Sequence, residues 1–381
     1  MRGLDVVVVG GGIAGLTAAA ALQRRGHRVQ VLEARDDTSP GAGISVWPNA
    51  LAALDDIALG DGVRDAGTAV AAGAMRLRDG RWIRRASPET VAKALGEAPV
   101  MIERAALRDV LAGALLPSTV RHGVRVQGLT GPGVLLVDGA RLDADLVVAA
   151  DGAGSSIARE LNGPLARTYA GYTAWRGVAD LAMSPELAGQ TLGRGIEAGH
   201  VPLGARQTYW FVAQRRPALR RTEGEWSPGA DLAHLAALLR GWASPIPELI
   251  AATPPGALLR NDVYDRVQAS RWVSGGVVLI GDAAHPMRPH LGQGGCQAIE
   301  DAVHLAAMLD DGPLDDALAR FEAVRKRRVA RVVGESRAIG RVLGVRPEWL
   351  ADAGLRASSL LPELLAMRHL AVIAGRSAWR G

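Results

Sequence analysis

The stretch Asp5-Val6-Val7-Val8-Val9-Gly10-Gly11-Gly12-Ile13-Ala14-Gly15 decides the fold. Val6 to Val9 form a continuous β-branched run, the kind buried on both faces of a parallel sheet. The run breaks into the spacing G-x-G-x-x-G at Gly10, Gly12 and Gly15. Ala14–Arg25 is rich in Ala and Leu and predicts a helix, with Gly26 placed to end it. Arg28–Leu32 predicts a second strand, and Glu33 stands at its end, about 20 residues past the glycines. Strand, glycine turn, helix, strand and acid in this order make a βαβ dinucleotide unit. Gly10 allows the tight turn, Gly12 lets the backbone approach a pyrophosphate, and Gly15 lets the helix pack against the strand. The helix start, at Ile13 and Ala14, offers N–H groups and a positive dipole end to the phosphates. Glu33 can accept hydrogen bonds from a ribose. This unit alone does not choose between FAD and NAD.

Two later strands end in the same manner. Leu146–Ala150 runs into Asp151-Gly152-Ala153-Gly154-Ser155-Ser156, and Val277–Ile280 into Gly281-Asp282-Ala283-Ala284-His285-Pro286. Each sets an Asp where a parallel strand stops, which is where open α/β sheets bind ligands. Pro289-His290-Leu291-Gly292-Gln293-Gly294-Gly295 follows, and then a predicted helix over Cys296–Leu309. Glycines ahead of a helix start suit an anionic or electron-rich group.

With these residues the sequence resembles the group A flavoprotein monooxygenases of the p-hydroxybenzoate hydroxylase type, which include salicylate hydroxylase and FAD-dependent urate hydroxylase. The resemblance rests on Gly10–Gly15, Asp151-Gly152 and Gly281-Asp282 in that order, with Arg104 in Glu103-Arg104-Ala105-Ala106-Leu107 as a fourth match. It covers about residues 3 to 335. It implies FAD as cofactor and NADH or NADPH as co-substrate. It also implies an α/β fold: a Rossmann-like FAD-binding domain with an inserted, mainly β-sheet substrate domain and C-terminal helices. Under it Glu33 holds the adenosine ribose, Arg104 pairs with the polar chain of FAD, and Asp282 bonds a ribitol hydroxyl. Gly292, Gln293, Gly294 and Gly295 set backbone N–H groups near the isoalloxazine ring. Asp151 serves FAD and the nicotinamide donor. The stretch Gly41-Ala42-Gly43-Ile44-Ser45 runs along the cofactor, and Ala34, Val126 and Pro289 join the FAD contacts. The activity implied is hydride transfer to FAD, reaction of the reduced flavin with O2, and transfer of one oxygen to an electron-rich aromatic or polycyclic small molecule. Hydroxylation and epoxidation both fit that course. The flavin carries the chemistry, and the protein supplies orientation, electrostatics and exclusion of water.

The phrases Ile44-Ser45-Val46-Trp47-Pro48-Asn49, Tyr169-Ala170-Gly171-Tyr172 and Gly292-Gln293-Gly294-Gly295-Cys296 are especially similar to the FAD-dependent urate hydroxylases. Those enzymes engage urate through an Arg, an Asp and a Tyr. Tyr209 matches the Tyr, His290 stands at the Asp position, and the Arg position falls near Glu197 or His200. A substrate other than urate is expected.

On this frame the FAD-binding domain is expected over 1–70, 100–165 and 260–335, the substrate domain over 71–99 and 166–259, and C-terminal helices over 336–381. Arg167–Ala179 and Gln207–Ala213 read as strands, Ala230–Arg240 as a helix, and Pro185–Gly199 as glycine-rich loop. Leu360–Ala374 reads as an amphipathic packing helix, interrupted by Pro362, Glu363, Arg368 and His369. No second G-x-G-x-x-G follows a strand, so a separate nicotinamide domain is not expected.

Catalytic candidates are fewer. Tyr209, in Tyr209-Trp210-Phe211, reads as a substrate-orienting phenol or as a core aromatic. His290 reads as a base near neutral pH or as a polar loop residue touching FAD. His285 reads as structural, and His200 sits ahead of Val201-Pro202. Cys296 reads either as a thiol with a lowered pKa at a helix start or as a small packing residue.

Composition bounds the rest. With 48% hydrophobic and 22% charged residues, the 381-residue chain is an ordinary globular enzyme by composition. Lys93 and Lys326 are the only lysines, and the net charge of +5 is modest, so no nucleic-acid partner is expected. The lone Cys296 excludes an intramolecular disulfide and a multi-Cys metal site, and no metal is expected. No apolar stretch approaches the roughly 18 residues of a membrane span. A cytoplasmic monomer or homodimer is the expectation. A dehydrogenase or oxidase without oxygen insertion, a halogenase and a non-catalytic FAD protein are the alternatives. The W-x-W-x-I-P segment of halogenases is missing.

Overall fold

Val6–Val9 lie at the centre of a six-stranded sheet, each at most 5% exposed. Asp5–Val9 pairs in parallel with Arg28–Leu32 on one side and Leu146–Ala149 on the other. Val120–Arg121 extends one edge, and Val277–Leu279 with Val273–Ser274 the other. Only the last pair is antiparallel. The computed structural model describes residues 3–35, 43–70, 74–85, 87–131, 133–193, 195–218, 227–343, 354, 356–357 and 363–379.

The first helix spans Ile13–Gln23, and Gly26, with φ +82°, turns the chain behind it. Its Ala18, Ala19, Ala21 and Leu22 are fully buried. Small side chains let it pack between the sheet and a second buried helix, Gly294–Met308.

The second sheet has seven strands. Their order is Leu259–Arg266, Arg167–Ala179, Gln207–Arg215, Ile196–Leu203, Gly189–Gly193, Ala74–Leu77 and Trp82–Arg84. All neighbours are antiparallel except Gly189–Gly193 with Ala74–Leu77. Leu259–Arg266 is thus hydrogen-bonded into this sheet across the boundary expected near 260. One face buries Trp175, Trp210, Val212, Ile196 and Ala198 under the helices Pro228–Leu238 and Ile246–Ala251.

The loop expected over Pro185–Gly199 is mostly strand. Its glycines serve close approach rather than turning. A Cβ at Gly189 would strike the Ala74 carbonyl, and one at Gly199 would strike the Phe211 ring. Only the turn between the two strands, with Gly195 at φ +68°, uses glycine as the loop reading supposed.

The helices Leu314–Leu343 and Glu363–Ala374 close the fold. The expected start of the last helix, at 360–362, lies outside the described residues. Met367 packs on Val91 and Leu95, and Trp379 Nε1 donates to Asp56 at 2.8 Å. Among the described residues no helix is long and apolar enough to cross a membrane, and no cluster of His, Cys, Asp and Glu is arranged to hold a metal.

Candidate active site

Steric contacts at the glycines show that the three motifs converge. A Cβ on Gly10, at φ +105°, would meet Ala150, and would lie 3.2 Å from Asp151 Cα. One on Gly15 would strike the Gly10 carbonyl. One on Gly281, at φ +57°, would lie 3.0 Å from Ala298 and 3.2 Å from Ala14. Gly12 differs: nothing of the protein lies within 4 Å of a Cβ placed there. Gly10 and Gly15 are therefore glycine for packing, whereas Gly12 leaves open the space a bound group would fill. Gly12 is the N-cap of the first helix, so the N–H groups of Ile13, Ala14 and Gly15 open toward that space.

Glu33 closes the edge of this cradle beside Gly11. Its Oε2 accepts from Gly11 N–H at 2.7 Å, and its Oε1 accepts from Arg35 N–H at 2.9 Å. Ala34 follows it. Val124 N–H bonds the Glu33 carbonyl at 2.9 Å, which draws Val126, at the start of the strand Val126–Thr130, toward this end.

The Asp-Gly and Gly-Asp loops are tied by a residue that sequence reasoning did not single out. Arg266, 4% exposed at the end of its strand, donates to Ala153 O at 3.1 Å and to Ala283 O at 2.6 Å. Asp151 Oδ2 accepts from Ser156 N–H at 3.0 Å, while its Oδ1 is buried without a partner. Burial pushes the Asp151 carboxyl above its usual range. Asp282 is open to solvent in the cleft. Desolvation by the surrounding protein raises its carboxyl, against the opposing pull of His285, Arg104 and Arg266. Arg104 is likewise exposed, at the first position of the helix Arg104–Gly113, and lies within Coulombic reach of Asp282. The open space beside Gly12, an unpartnered carboxylate oxygen and an opposed Arg–Asp pair along one cleft fit a dinucleotide such as FAD.

The loop 289–293, expected from sequence to lie at the flavin ring, is held from behind. Pro289–Leu291 is a short 3-10 turn, and Gly292, at φ +62°, leads into Gln293 and the helix starting at Gly294. The first bond of that helix is Gln297 N–H to Gln293 O, so the N–H groups of Gly294 and Gly295 remain available at its start. The side chain of Gln293 points away from the cleft. It is 1% exposed and accepts from Asn49 Nδ2 at 3.0 Å, and Asn49 Nδ2 also reaches Glu300 at 2.6 Å. Glu300 and Asp301 in turn pair with the fully buried Arg325 at 2.6 and 2.7 Å. Any cofactor contact by Gln293 is therefore left to its backbone. Ser45 Oγ and Gly43 lie against Met101, and a Cβ at Gly43 would be 3.2 Å from the Tyr209 ring. Gly41 and Ala42 lie outside the described residues.

The face of the seven-stranded sheet opposite the tryptophans looks onto this loop. Register places Tyr209 beside Val201 and Val178, Phe211 beside Gly199 and Arg176, and Ala213 beside Glu197 and Ala174. His200, on the alternate face, is 1% exposed and contacts Arg76 at 3.1 Å. Burial pushes its imidazole down to about 4, so it is a neutral core residue. His290 reaches this face from the flavin-side loop. Its Nδ1 lies 3.2 Å from Glu197 Oε2, and its Nε2 lies 3.3 Å from the Tyr172 hydroxyl. Gln190 Nε2 donates to the other Glu197 oxygen at 3.0 Å. The His290 and Glu197 side chains are 6% and 7% exposed. His285 bonds Asp301 at 2.6 Å in the core and is structural. Cys296 is buried, and burial pushes its thiol up to about 12, which removes the activated-thiol reading.

A separate groove of about 750 Å³ opens between Thr68, Glu103 and the turn at Leu203–Gln207. Met101 lines it and also touches Ser45 and Gly43 in the cleft.

Comparison with known proteins follows this geometry. The family described as FAD binding domain matches residues 3–336. Aurachin C monooxygenase/isomerase of Stigmatella aurantiaca is 38% identical over 348 residues, covering 89% of this chain and 90% of that enzyme. FAD-dependent urate hydroxylase of Klebsiella pneumoniae is 34% identical over 345 residues, covering 88% and 89%. Chloroplastic zeaxanthin epoxidase of Nicotiana plumbaginifolia is 34% identical over 367 residues, and the chain spans 54% of its length. The crystal structure of Klebsiella pneumoniae HpxO complexed with FAD and uric acid aligns with a TM-score of 0.89 at 29% identity, covering 98% of this chain and 97% of that one. The chain belongs to the FAD binding domain family of flavoprotein monooxygenases. It is an FAD-dependent enzyme of a family for which NAD(P)H is the typical reductant, and the α/β fold with C-terminal helices matches the expectation from sequence.

Proposed function

We propose that this family member places one atom of O2 on an electron-rich aromatic or polycyclic small molecule held between the flavin-side loop and the inner face of the seven-stranded sheet. The observation that carries this reading is the contact of His290 with Tyr172 and Glu197 on the sheet face that also carries Tyr209, beside the cleft that Gly12, Arg104 and Asp282 mark out for FAD. Bound FAD would supply hydride acceptance from NAD(P)H and the activation of O2. The chain would do the rest. The N–H groups at Ile13, Ala14 and Gly15 receive the pyrophosphate, Glu33 the ribose, Asp282 a ribitol hydroxyl, and Gly292, Gly294 and Gly295 the ring. Tyr209, Phe211 and Val201 supply an apolar wall that orients an aromatic ring and excludes water. His290 is the base that withdraws a proton from the substrate and raises the nucleophilicity of its ring.

The relatives act on ring systems of different sizes by their names, aurachin C, urate and zeaxanthin, which supports an aromatic or polycyclic substrate without selecting one. The lone Cys296 fits a reducing compartment, so the cytosol is the compartment proposed, with a monomer or homodimer as the working state. The test is NADH and NADPH oxidation by the purified flavoprotein against phenolic, N-heteroaromatic and polyketide-like compounds under labelled O2. Substrate-stimulated oxidation with one labelled oxygen in the product is the expected outcome. Stimulated oxidation that yields hydrogen peroxide with every compound in the panel would overturn it.

A further inference from the structure

Glu197 is a buried acid on a strand whose only other polar side chain is His200, and its two oxygens are both engaged. Oε1 accepts from Gln190 Nε2 at 3.0 Å, and Oε2 faces His290 Nδ1 at 3.2 Å. A carboxylate only accepts, so this contact sets the hydrogen of the neutral imidazole on Nδ1. The other nitrogen, Nε2, is then a bare acceptor, and the hydroxyl of Tyr172 meets it at 3.3 Å. Burial raises the Tyr172 phenol, so it is a hydrogen donor in this contact. The charged groups around the phenol are Arg288, Arg176, Asp265 and Glu197. Arg176 also acts on Tyr209 across the same face.

We propose that Glu197 is a positioning residue that fixes His290 as the Nδ1–H tautomer, so that Tyr172 and His290 Nε2 form a proton outlet for substrates bearing an ionisable ring O–H or N–H. This rests on the reading of His290 as the substrate-facing base. The substrate O–H or N–H bond breaks and its electron pair stays on the ring. The proton arrives at His290 Nε2 directly, or Tyr172 receives it while passing its own hydroxyl proton to Nε2. The imidazolium formed is balanced by the Glu197 carboxylate, and the ring anion lies within the field of Arg176. No electron is gained or lost in this step. The substrate class is a neutral phenol, enol or N–H heteroaromatic.

The test uses the FAD-loaded enzyme with ¹⁵N-labelled histidine. At pH 7.5 the His290 resonances should show hydrogen on Nδ1 and a bare Nε2, and Glu197→Gln should remove that preference. With 7-hydroxycoumarin as probe, absorbance of the bound anion should report a phenol pKa about one unit lower in the wild type than in Glu197→Gln, a tenfold difference in anion fraction at fixed pH. Hydrogen on Nε2 in the wild-type enzyme overturns the proposal whether or not the variant folds. Equal anion fractions in the two proteins, or binding of the coumarin only as the neutral phenol or not at all, also overturn it. Absence of labelled oxygen in any product with the tautomer intact would instead overturn the monooxygenase reading and leave the tautomer assignment standing.

Discussion

Replacing Gly12 or Gly15 by alanine adds the same methyl group to the same turn, with opposite consequences for the apoprotein. At Gly15 the new Cβ would lie closer to the Gly10 carbonyl oxygen than any C···O contact permits, and 3.2 Å from Val8 Cγ1. Backbone cannot swing aside as a flexible side chain does, so the helix Ile13–Gln23 must shift off the sheet. Overpacking of this kind costs about 1–3 kcal/mol or more. At Gly12 the methyl meets no protein atom within 4 Å, and φ −79°, ψ −174° is extended backbone that alanine adopts freely. The apoprotein should change by no more than about 0.5 kcal/mol, or gain slightly from a less flexible unfolded chain. FAD affinity should nevertheless fall, because the methyl takes the space through which a phosphate reaches the helix N–H groups. Loss of one charge-assisted hydrogen bond is worth about 1.5–3 kcal/mol, or roughly 10- to 150-fold in Kd. Calorimetric melting of the apoproteins and flavin fluorescence titration separate the two effects. A Gly12→Ala apoprotein that melts as low as Gly15→Ala, or that binds FAD with the wild-type Kd, would refute the assignment of Gly12 to the cradle.

Other expectations follow from single side chains. Asp282→Ala should raise the FAD Kd by roughly 5- to 100-fold, since a ribitol hydroxyl loses its acceptor; a variant purified with full flavin occupancy would remove Asp282 from the FAD site. His200 and His304 are both pushed down to about 4, burial being the main cause. The unfolded chain takes up their protons near the ordinary value of 6.5, so their contribution is fully present above that pH and is lost as pH falls toward 4. The thermal midpoint should drop across that window, less steeply in His304→Gln, and a flat profile between pH 7 and 4.5 would contradict the burial argument. Cys296 should resist iodoacetamide in the native enzyme at pH 8 and react after unfolding, as mass spectrometry would record; rapid native alkylation would restore the activated-thiol reading.

The sequence by itself determined the dinucleotide-binding half of this protein. A β-branched run, glycines at steric pinch points and an acid at a strand end are local signals, each enforced within a few residues. The strands at Asp5, Arg28, Leu146 and Val277 therefore fall where their patterns place them. The substrate half was hidden by its own packing. Gly189 and Gly199 look like loop residues, yet they are glycine because the Ala74 carbonyl and the Phe211 ring approach them. Reading that segment as loop concealed the alternation that sends Glu197 to the face toward His290 and His200 to the buried face of the tryptophans. Arg266 carries no motif, and its role exists only where the Asp-Gly and Gly-Asp loops meet. Glu197, His290 and Tyr172 lie 93 and 118 positions apart along the chain. Their contact depends on strand register and on how the flavin-side loop docks against the sheet. No local propensity encodes that docking; the packing of the loop 289–293 against the sheet face that carries Glu197 and Tyr172 decides it.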